Sequence, residues 1–517
     1  MMHEFEIKPG NLTLADLRQV YRHPARLSLP QEAWDNINAG CAVVEKALES
    51  GTVIYGINTG FGKLAREKVS AEKLEKLQDN LILSHCTGTG YILYEQITRL
   101  ILVLKINALA QGYSGVRPDL VKALIALVNH EVYPCIPSKG SVGASGDLAP
   151  LAHMSAVLLG YGEVTVKGKT LPAKEGLALA GLQPMKLAPK EGLALINGTQ
   201  VSAALALAAL FATENCFANA VIAGALSLEA AKASTGPFDP KIQIIRRQQG
   251  QIDVAAKYLS LLDQSEIRDS HKYCGKVQDP YCLRCMPQVM GACLDLIRNT
   301  AQTLECEANA VTDNPLVFAQ SGEILSGGNF HAEPVAFAAD TLALAIAEIG
   351  NISERRIAML IDENQSHLPP FLVKDAGVNS GFMIAHVTAA ALASENKQKS
   401  HPASVDSIPT SAGQEDHVSM ATHGARRLIG MAENTAVIVA IELLAATQGI
   451  EFHRPLRTSS ALETVTAIIR KDVPYYKEDR YFAPDIQAAK NLVESDVLLE
   501  FCSDILPSCA EVFDGSL

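Results

Sequence analysis

The segment Lys139–Met154, KGSVGASGDLAPLAHM, spaces Gly140, Gly143 and Gly146 three residues apart around the tripeptide Ala144-Ser145-Gly146. A phosphate-binding loop needs lysine and then serine or threonine after its last glycine, and here Gly146 is followed by Asp147, which repels phosphate. A helix start explains more, because Ser145 or Asp147 can cap the apolar run that follows and Pro150 is tolerated in a first turn. It leaves the glycines on both sides of Ala-Ser unexplained. Cyclisation explains them. If the backbone nitrogen of Gly146 attacks the carbonyl carbon of Ala144, a five-membered ring closes; loss of two waters, one of them carrying the Ser145 hydroxyl, leaves an electrophilic exocyclic methylidene. The missing Cβ of Gly146 unhinders the attacking nitrogen, and the flanking glycines allow the compressed backbone this geometry needs.

The rest of the chain must position such a loop. Its 517 residues are 48% hydrophobic and 19% charged, enough for a large core and more than one domain. Aromatic residues are only 5%, while Ala and Leu are abundant, which favours helices packed through small and unbranched side chains. A net charge of -12 argues against nucleic acid as a partner. The most extended apolar run, 201–231, is interrupted by Glu214, Asn215 and Glu229, so it reads as a bundle helix and no membrane partner is expected. The start, MMHEFEIKPG, has acidic residues where a secretory signal is basic and then apolar, and a cytoplasmic location is expected. The one C-x-x-C, Cys282-Leu283-Arg284-Cys285, has no second pair at zinc spacing; the cysteines read as reduced core residues and no metal is expected.

The expected fold is mainly α. Residues 1–195 read as a mixed head domain carrying the glycine loop, with helical stretches at 71–83 and 94–110. A hairpin is predicted at GEVTVKGKTLPAK, where Val164 and Val166 alternate with polar residues before a Lys167-Gly168 turn. The echo KEGLALA and KEGLALI reads as two similar helix starts. Residues 196–517 read as an extended helical bundle, with long runs at 201–231, 288–308, 333–362 and 425–448, then a C-terminal region in which VPYYKEDRYFAPD precedes a final helix. Helices this long with so few charges need burial on both sides, which predicts a homo-oligomer.

GSVGASGDLAPLAHM resembles the signature of the aromatic amino acid ammonia-lyases, which build a methylidene-imidazolone (MIO) prosthetic group from Ala-Ser-Gly. VIYGINTGFG, LSHCTGTG, INGTQ, KVQDPYCLRCMPQVMG, SGGNFHAEPVA and SVDSIPTSAGQEDHVSM are similar to further family blocks and span nearly the whole chain. The resemblance implies a head with the MIO loop on a long central bundle, of the fumarase/aspartase-like superfamily. It also implies a homotetramer whose active sites draw on three subunits, and MIO formed from Ala144-Ser145-Gly146 with no external cofactor. The reaction implied is elimination of ammonia from an L-amino acid, which needs an electrophile for the amine and a base for the β-proton.

Roles carried over by resemblance are these. Tyr55 matches the base, and a phenol of pKa about 10 must be partly ionised to act, so activity should rise toward mildly alkaline pH. Tyr281 matches a second essential tyrosine. Arg284 matches the arginine that grips the substrate carboxylate bidentately. Asn197 and Gln278 match residues that hydrogen-bond the prosthetic group and substrate, and Phe330 an apolar wall. Each has a plainer reading: loop anchors for the tyrosines, a surface ion pair for Arg284, a helix cap for Asn197, a solvated amide for Gln278, core packing for Phe330. His85 and Glu415 resemble the histidine-specific pattern, which implies L-histidine as substrate and trans-urocanate as product. Taken alone, His85 could be a core histidine and Glu415 a carboxylate at a helix N-terminus. Cys86-Thr87 departs from the small alanines common there, which leaves tyrosine or phenylalanine elimination, or an MIO-dependent aminomutase, as alternatives. A helical scaffold or small-molecule sensor that keeps the fold without catalysis is a further one. His153, His331 and His417 read as structural support.

Overall fold

Helix boundaries follow local chemistry. The computed structural model describes residues 3–50, 59, 73–272 and 277–509. Thr13 opens α1 (Leu14–Arg22) through a capping box with Asp16, and α2 (Gln31–Glu49) follows Pro30. The first two expected helices appear as α3 (Leu74–His85) and α4 (Glu95–Ala110). Apolar over most of its surface, α4 is buried from Ile97 to Ala110, with Thr98, Arg99, Lys105 and Asn107 among the buried residues. Ser145 does not cap the helix after the glycine loop: Asp147 occupies the N-cap of α5 (Leu148–Ala156), and its carboxylate turns elsewhere. The two KEGLAL starts open Ala173–Leu179 and α6 (Glu191–Ile196). Ahead of both, the predicted hairpin forms, Glu163–Val166 paired antiparallel with Lys169–Pro172, and Lys167 and Gly168 take φ of 49° and 76° at its turn.

The long runs become α7 (Gln200–Ala230), α8 (Tyr281–Arg284) leading into α9 (Met286–Ala308), α10 (Glu333–Ile361) and α11 (Ala421–Glu451). By length and composition α7, α10 and α11 could cross a membrane, yet 94%, 67% and 72% of their most apolar windows are buried inside the protein. The C-terminal region holds two helices, α12 (Ser460–Asp472) and α13 (Ala483–Glu494), on either side of the VPYYKED segment.

Contacts group the chain into two units that are not consecutive stretches: Met1–Ala208 with Ala301–Asp340 and Pro402–Arg426, and Ala209–Thr300 with Thr341–His401 and Arg427–Leu517. The change of sequence character at 195/196 falls inside the first. That unit carries the small β-pairings, and in it α3, α5 and α6 pack on one another. Their ends therefore bring His85, the glycine loop and Asn197 together.

The second unit is helical, and its interior holds buried polar groups. Arg356 and Glu442, both without solvent exposure, pair at 2.5 Å and 2.9 Å, and Ser227 donates to the same carboxylate at 2.8 Å. The polar residues that interrupt α7 also find partners: Glu214 accepts from the Ser508 amide, Glu229 from the Ser265 hydroxyl through one of its oxygens, and Asn215 donates to the Glu494 carbonyl. They are internal attachment points for other segments.

Candidate active site

The glycine loop is held from several sides. The Gly143 carbonyl accepts from Ser419 Oγ at 2.8 Å and from the Ala332 amide at 3.2 Å, and the Val142 carbonyl accepts from the Met420 amide at 2.8 Å. Gly146 sits at φ 77°, where a Cβ would lie 2.4 Å from both N and O of Gly198. The next amide, of Asp147, donates to that same Gly198 carbonyl at 2.8 Å. Asp147 is fully buried, and its carboxylate accepts from Ser141 Oγ, Thr422 Oγ1, and both the amide and hydroxyl of Ser202. Because Ser202 lies in the first turn of α7, Asp147 supplies the start of that helix with an acceptor and ties the loop to it.

The loop faces a cavity of about 1430 Å³ lined by Ala144, Ser145, His85, Asn197, Phe330 and Glu415 among others. Six predicted site residues thus converge, although they come from separate parts of the sequence. Ser145 Oγ donates to Glu415 Oε1 at 2.5 Å, and the other oxygen, Oε2, accepts from Thr410 Oγ1 at 2.6 Å and Ser411 Oγ at 2.8 Å. Glu415 lies in a loop ahead of α11 and does not stand at a helix N-terminus. Burial opposes its ionisation, but the hydroxyls of Ser145, Thr410 and Ser411 and the charge of His85 outweigh that and hold its pKa below the usual carboxylate range.

His85 is the last residue of α3, and its Nδ1 lies 2.7 Å from the Leu81 carbonyl. A carbonyl only accepts, so Nδ1 carries a proton and Nε2 is the ring's remaining polar atom. Asn197 closes α6 as its C-cap, so it does not cap α7. Its Nδ2 reaches the Asn314 carbonyl at 3.5 Å, while its Oδ1 is buried with no hydrogen-bond partner among the described residues. An orphaned acceptor in a cavity wall is a ready site for an incoming donor.

Beneath Asn197 lies a residue that the motif reading passed over. Lys105, fully buried in α4, donates to the carbonyls of Ala194 at 3.1 Å and Asn197 at 2.7 Å. Burial pulls its pKa down to about 7, against the favourable charge of Asp313. Beside it, Lys190 and Asp313 form a buried pair at 2.5 Å. The signal was present in RLILVLKINALA, where a single lysine follows five consecutive apolar residues.

The remaining predicted residues lie elsewhere. Gln278 and Arg284 line a separate cavity of about 180 Å³ in the second unit, with Lys232, Ser234 and Asp279. The Arg284 guanidinium stacks 4.3 Å over the ring of Tyr281, which is 70% exposed, and Arg284 Nε is buried without a hydrogen-bond partner among the described residues. Tyr55 lies outside the described residues. His153 accepts from the Gly88 amide at 3.0 Å, a structural bond. His331 and His417 line the main cavity, and with Glu333 they are the one group among the described residues whose ligand atoms could hold a metal ion; His331 Nε2 instead lies 3.3 Å from the His417 carbonyl.

Comparison with known proteins agrees with this geometry. The aromatic amino acid lyase family profile matches residues 12–471. A histidine ammonia-lyase of Desulfotalea psychrophila is 59% identical over 509 residues, covering 98% of this chain and 99% of that one. Among solved structures, a histidine ammonia-lyase from Trypanosoma cruzi superposes with a TM-score of 0.90 at 41% identity, covering 98% of this chain and 96% of that one. A tyrosine aminomutase from Streptomyces globisporus gives 0.91 at 33% identity, covering 98% and 99%. With a pinned Ala-Ser-Gly loop facing a cavity and a profile match across most of its length, the chain belongs to the aromatic amino acid lyase family.

Proposed function

We propose that this carbon–nitrogen lyase is a histidine ammonia-lyase, eliminating ammonia from L-histidine to leave trans-urocanate. The observation that carries the reading is the placement of His85 and Glu415 in one cavity with Ala144 and Ser145. A ring with two nitrogens can satisfy both polar groups. A phenyl ring strands them, at about 1–3 kcal/mol for each buried polar group left unpaired.

The loop suits an MIO group. Gly146 occupies a conformation and a space that admit no Cβ, and Ala144 is buried while Ser145 faces the cavity. Formed from Ala144, Ser145 and Gly146, the group supplies the electrophile for the substrate amine, with no external cofactor. The other tasks fall to side chains. Arg284 pairs with the substrate carboxylate through its planar fork. Tyr55 accepts the β-proton, and Tyr281 assists in moving it. Asn197 and Gln278 donate and accept at the amine and carboxylate ends, Phe330 gives the ring an apolar wall, and His85 with Glu415 fixes its nitrogens.

In this reading the working form is a homotetramer in which Gln278, Tyr281 and Arg284 complete the site of a neighbouring copy. Support comes from Gln278 and Arg284 lining a cavity other than the one holding Ser145, and from exposed apolar side chains such as Val277 at 98% and Val378 at 88%. A cytoplasmic setting suits the described cysteines, which are free thiols. Co-expressing Ser145→Ala with Arg284→Ala subunits tests the sharing. Mixed tetramers should regain a substantial fraction of wild-type activity, although each variant alone has almost none; no recovery in verified mixed tetramers would show that each site is built from one chain.

The substrate is tested by giving purified protein L-histidine, L-tyrosine and L-phenylalanine in parallel, following product absorbance and ammonia. Urocanate should form at least about a hundredfold faster than coumarate or cinnamate, the discrimination expected when a mismatched ring strands two polar groups. Faster coumarate or cinnamate would overturn the substrate assignment, and a β-amino acid without free ammonia would make the protein an aminomutase.

A further inference from the structure

Ser145 Oγ donates to Glu415 Oε1 over 2.5 Å, and the carboxylate is oriented for that contact by Thr410 and Ser411 on its other oxygen. If Glu415 served only the substrate's ring, nothing would require it to grip the serine of the cyclising tripeptide. We propose that Glu415 acts earlier as well, as the residue that removes the second water, the one that carries away the Ser145 hydroxyl. This rests on the reading that Ala144-Ser145-Gly146 closes into the MIO ring.

The step balances on this residue alone. Once Gly146 N has bonded to the Ala144 carbonyl carbon and the first water has left, the Cα–H of Ser145 lies between two unsaturated positions of the ring and is acidified. The Glu415 carboxylate takes that proton. The electron pair left on Cα forms the Cα–Cβ double bond, and the Cβ–Oγ bond breaks. Glu415 hands the proton to the departing oxygen, which leaves as water, and the carboxylate is restored. No oxidant or co-reactant is needed. Oγ is two bonds from Cα, so a carboxylate touching Oγ is placed to serve both ends of the elimination.

The charge state and the alternatives favour the same residue. Glu415 is held ionised by three hydroxyl donors and by His85 despite its burial, so it can begin as a base. Asp147 is closer in sequence, but Ser141, Thr422 and Ser202 occupy both of its oxygens.

The test is the mass of the peptide containing residues 144–146, released from purified full-length wild-type, Glu415→Gln and Thr410→Val proteins, with folding checked by circular dichroism. The wild-type peptide should be two waters short of its encoded mass. Glu415→Gln keeps the shape of the side chain but removes its basicity. Its peptide should be mainly one water short, with the doubly dehydrated form reduced at least about tenfold, the low end of what a positioned base contributes. Thr410→Val, which frees Oε2, should give a mixture. Activity of Glu415→Gln should then fall on L-phenylalanine as well as, and more steeply, on L-histidine, whereas a residue serving selectivity alone would spare L-phenylalanine. A Glu415→Gln peptide as fully dehydrated as wild type overturns the proposal while leaving the MIO reading intact. A peptide of that variant with no water lost also overturns it, by placing Glu415 at ring closure. A wild-type peptide of encoded mass overturns both readings.

Discussion

Ser145→Ala should fold and assemble as wild type does and lose at least about a thousandfold in kcat, the equivalent of roughly 4 kcal/mol of barrier. The loop's clamps explain why folding survives: they run through the Gly143 carbonyl, the Val142 carbonyl and Asp147, and none of them uses the Ser145 hydroxyl. What disappears is the atom whose departure creates the methylidene, together with the bond to Glu415. Peptide mass separates this cause from a general loss of structure, since the variant can shed at most one water. Turnover within a few-fold of wild type in Ser145→Ala would remove the cyclised electrophile from the mechanism.

Gly146→Ala should abolish activity by a different route. An alanine at φ 77° carries backbone strain of about 1–2 kcal/mol. Its Cβ would also fall 2.4 Å from the N and O of Gly198, backbone atoms that cannot yield without breaking the bond from the Asp147 amide. The loop must shift, and with it the nitrogen that closes the ring. We expect a peptide of encoded mass, activity below detection and a lowered melting temperature. Gly162→Ala is the control: it shares a positive φ of 81° but has nothing within 4 Å of the new Cβ, so it should carry the backbone strain alone and keep its activity. Equal losses in both variants would mean that backbone strain, rather than the contact with Gly198, is what matters at Gly146.

Much of the site was legible because its chemistry is local. The proposed cyclisation would join atoms of residues 144 and 146, so the tripeptide and its glycines carry the idea without any tertiary information. Other residues were legible only as matches to family blocks, and for two of them the structure removed the plainer reading. Asn197 ends one helix and does not cap the next, and Glu415 belongs to a loop closed by Thr410. Lys105 went unread although it stood out in its helix, because a lone lysine in an apolar stretch does not say which carbonyls it will meet.

By itself the sequence determined the helical class, the hairpin and the glycine-flanked Ala-Ser-Gly tripeptide, and it offered His85 and Glu415 as the polar residues proposed to meet an imidazole. Each of these depends on residues close together in the chain, or on side-chain types that carry their chemistry anywhere. Tertiary structure alone decided the meeting of Ser145 with Glu415, 270 positions apart, and of Asp147 with Thr422, 275 positions apart. It also decided that Gln278 and Arg284 line a different cavity from Ser145. Such pairings are settled by how long segments pack, where a hydrogen bond forms only after the intervening chain has been ordered and its entropy lost, and no short motif records that outcome.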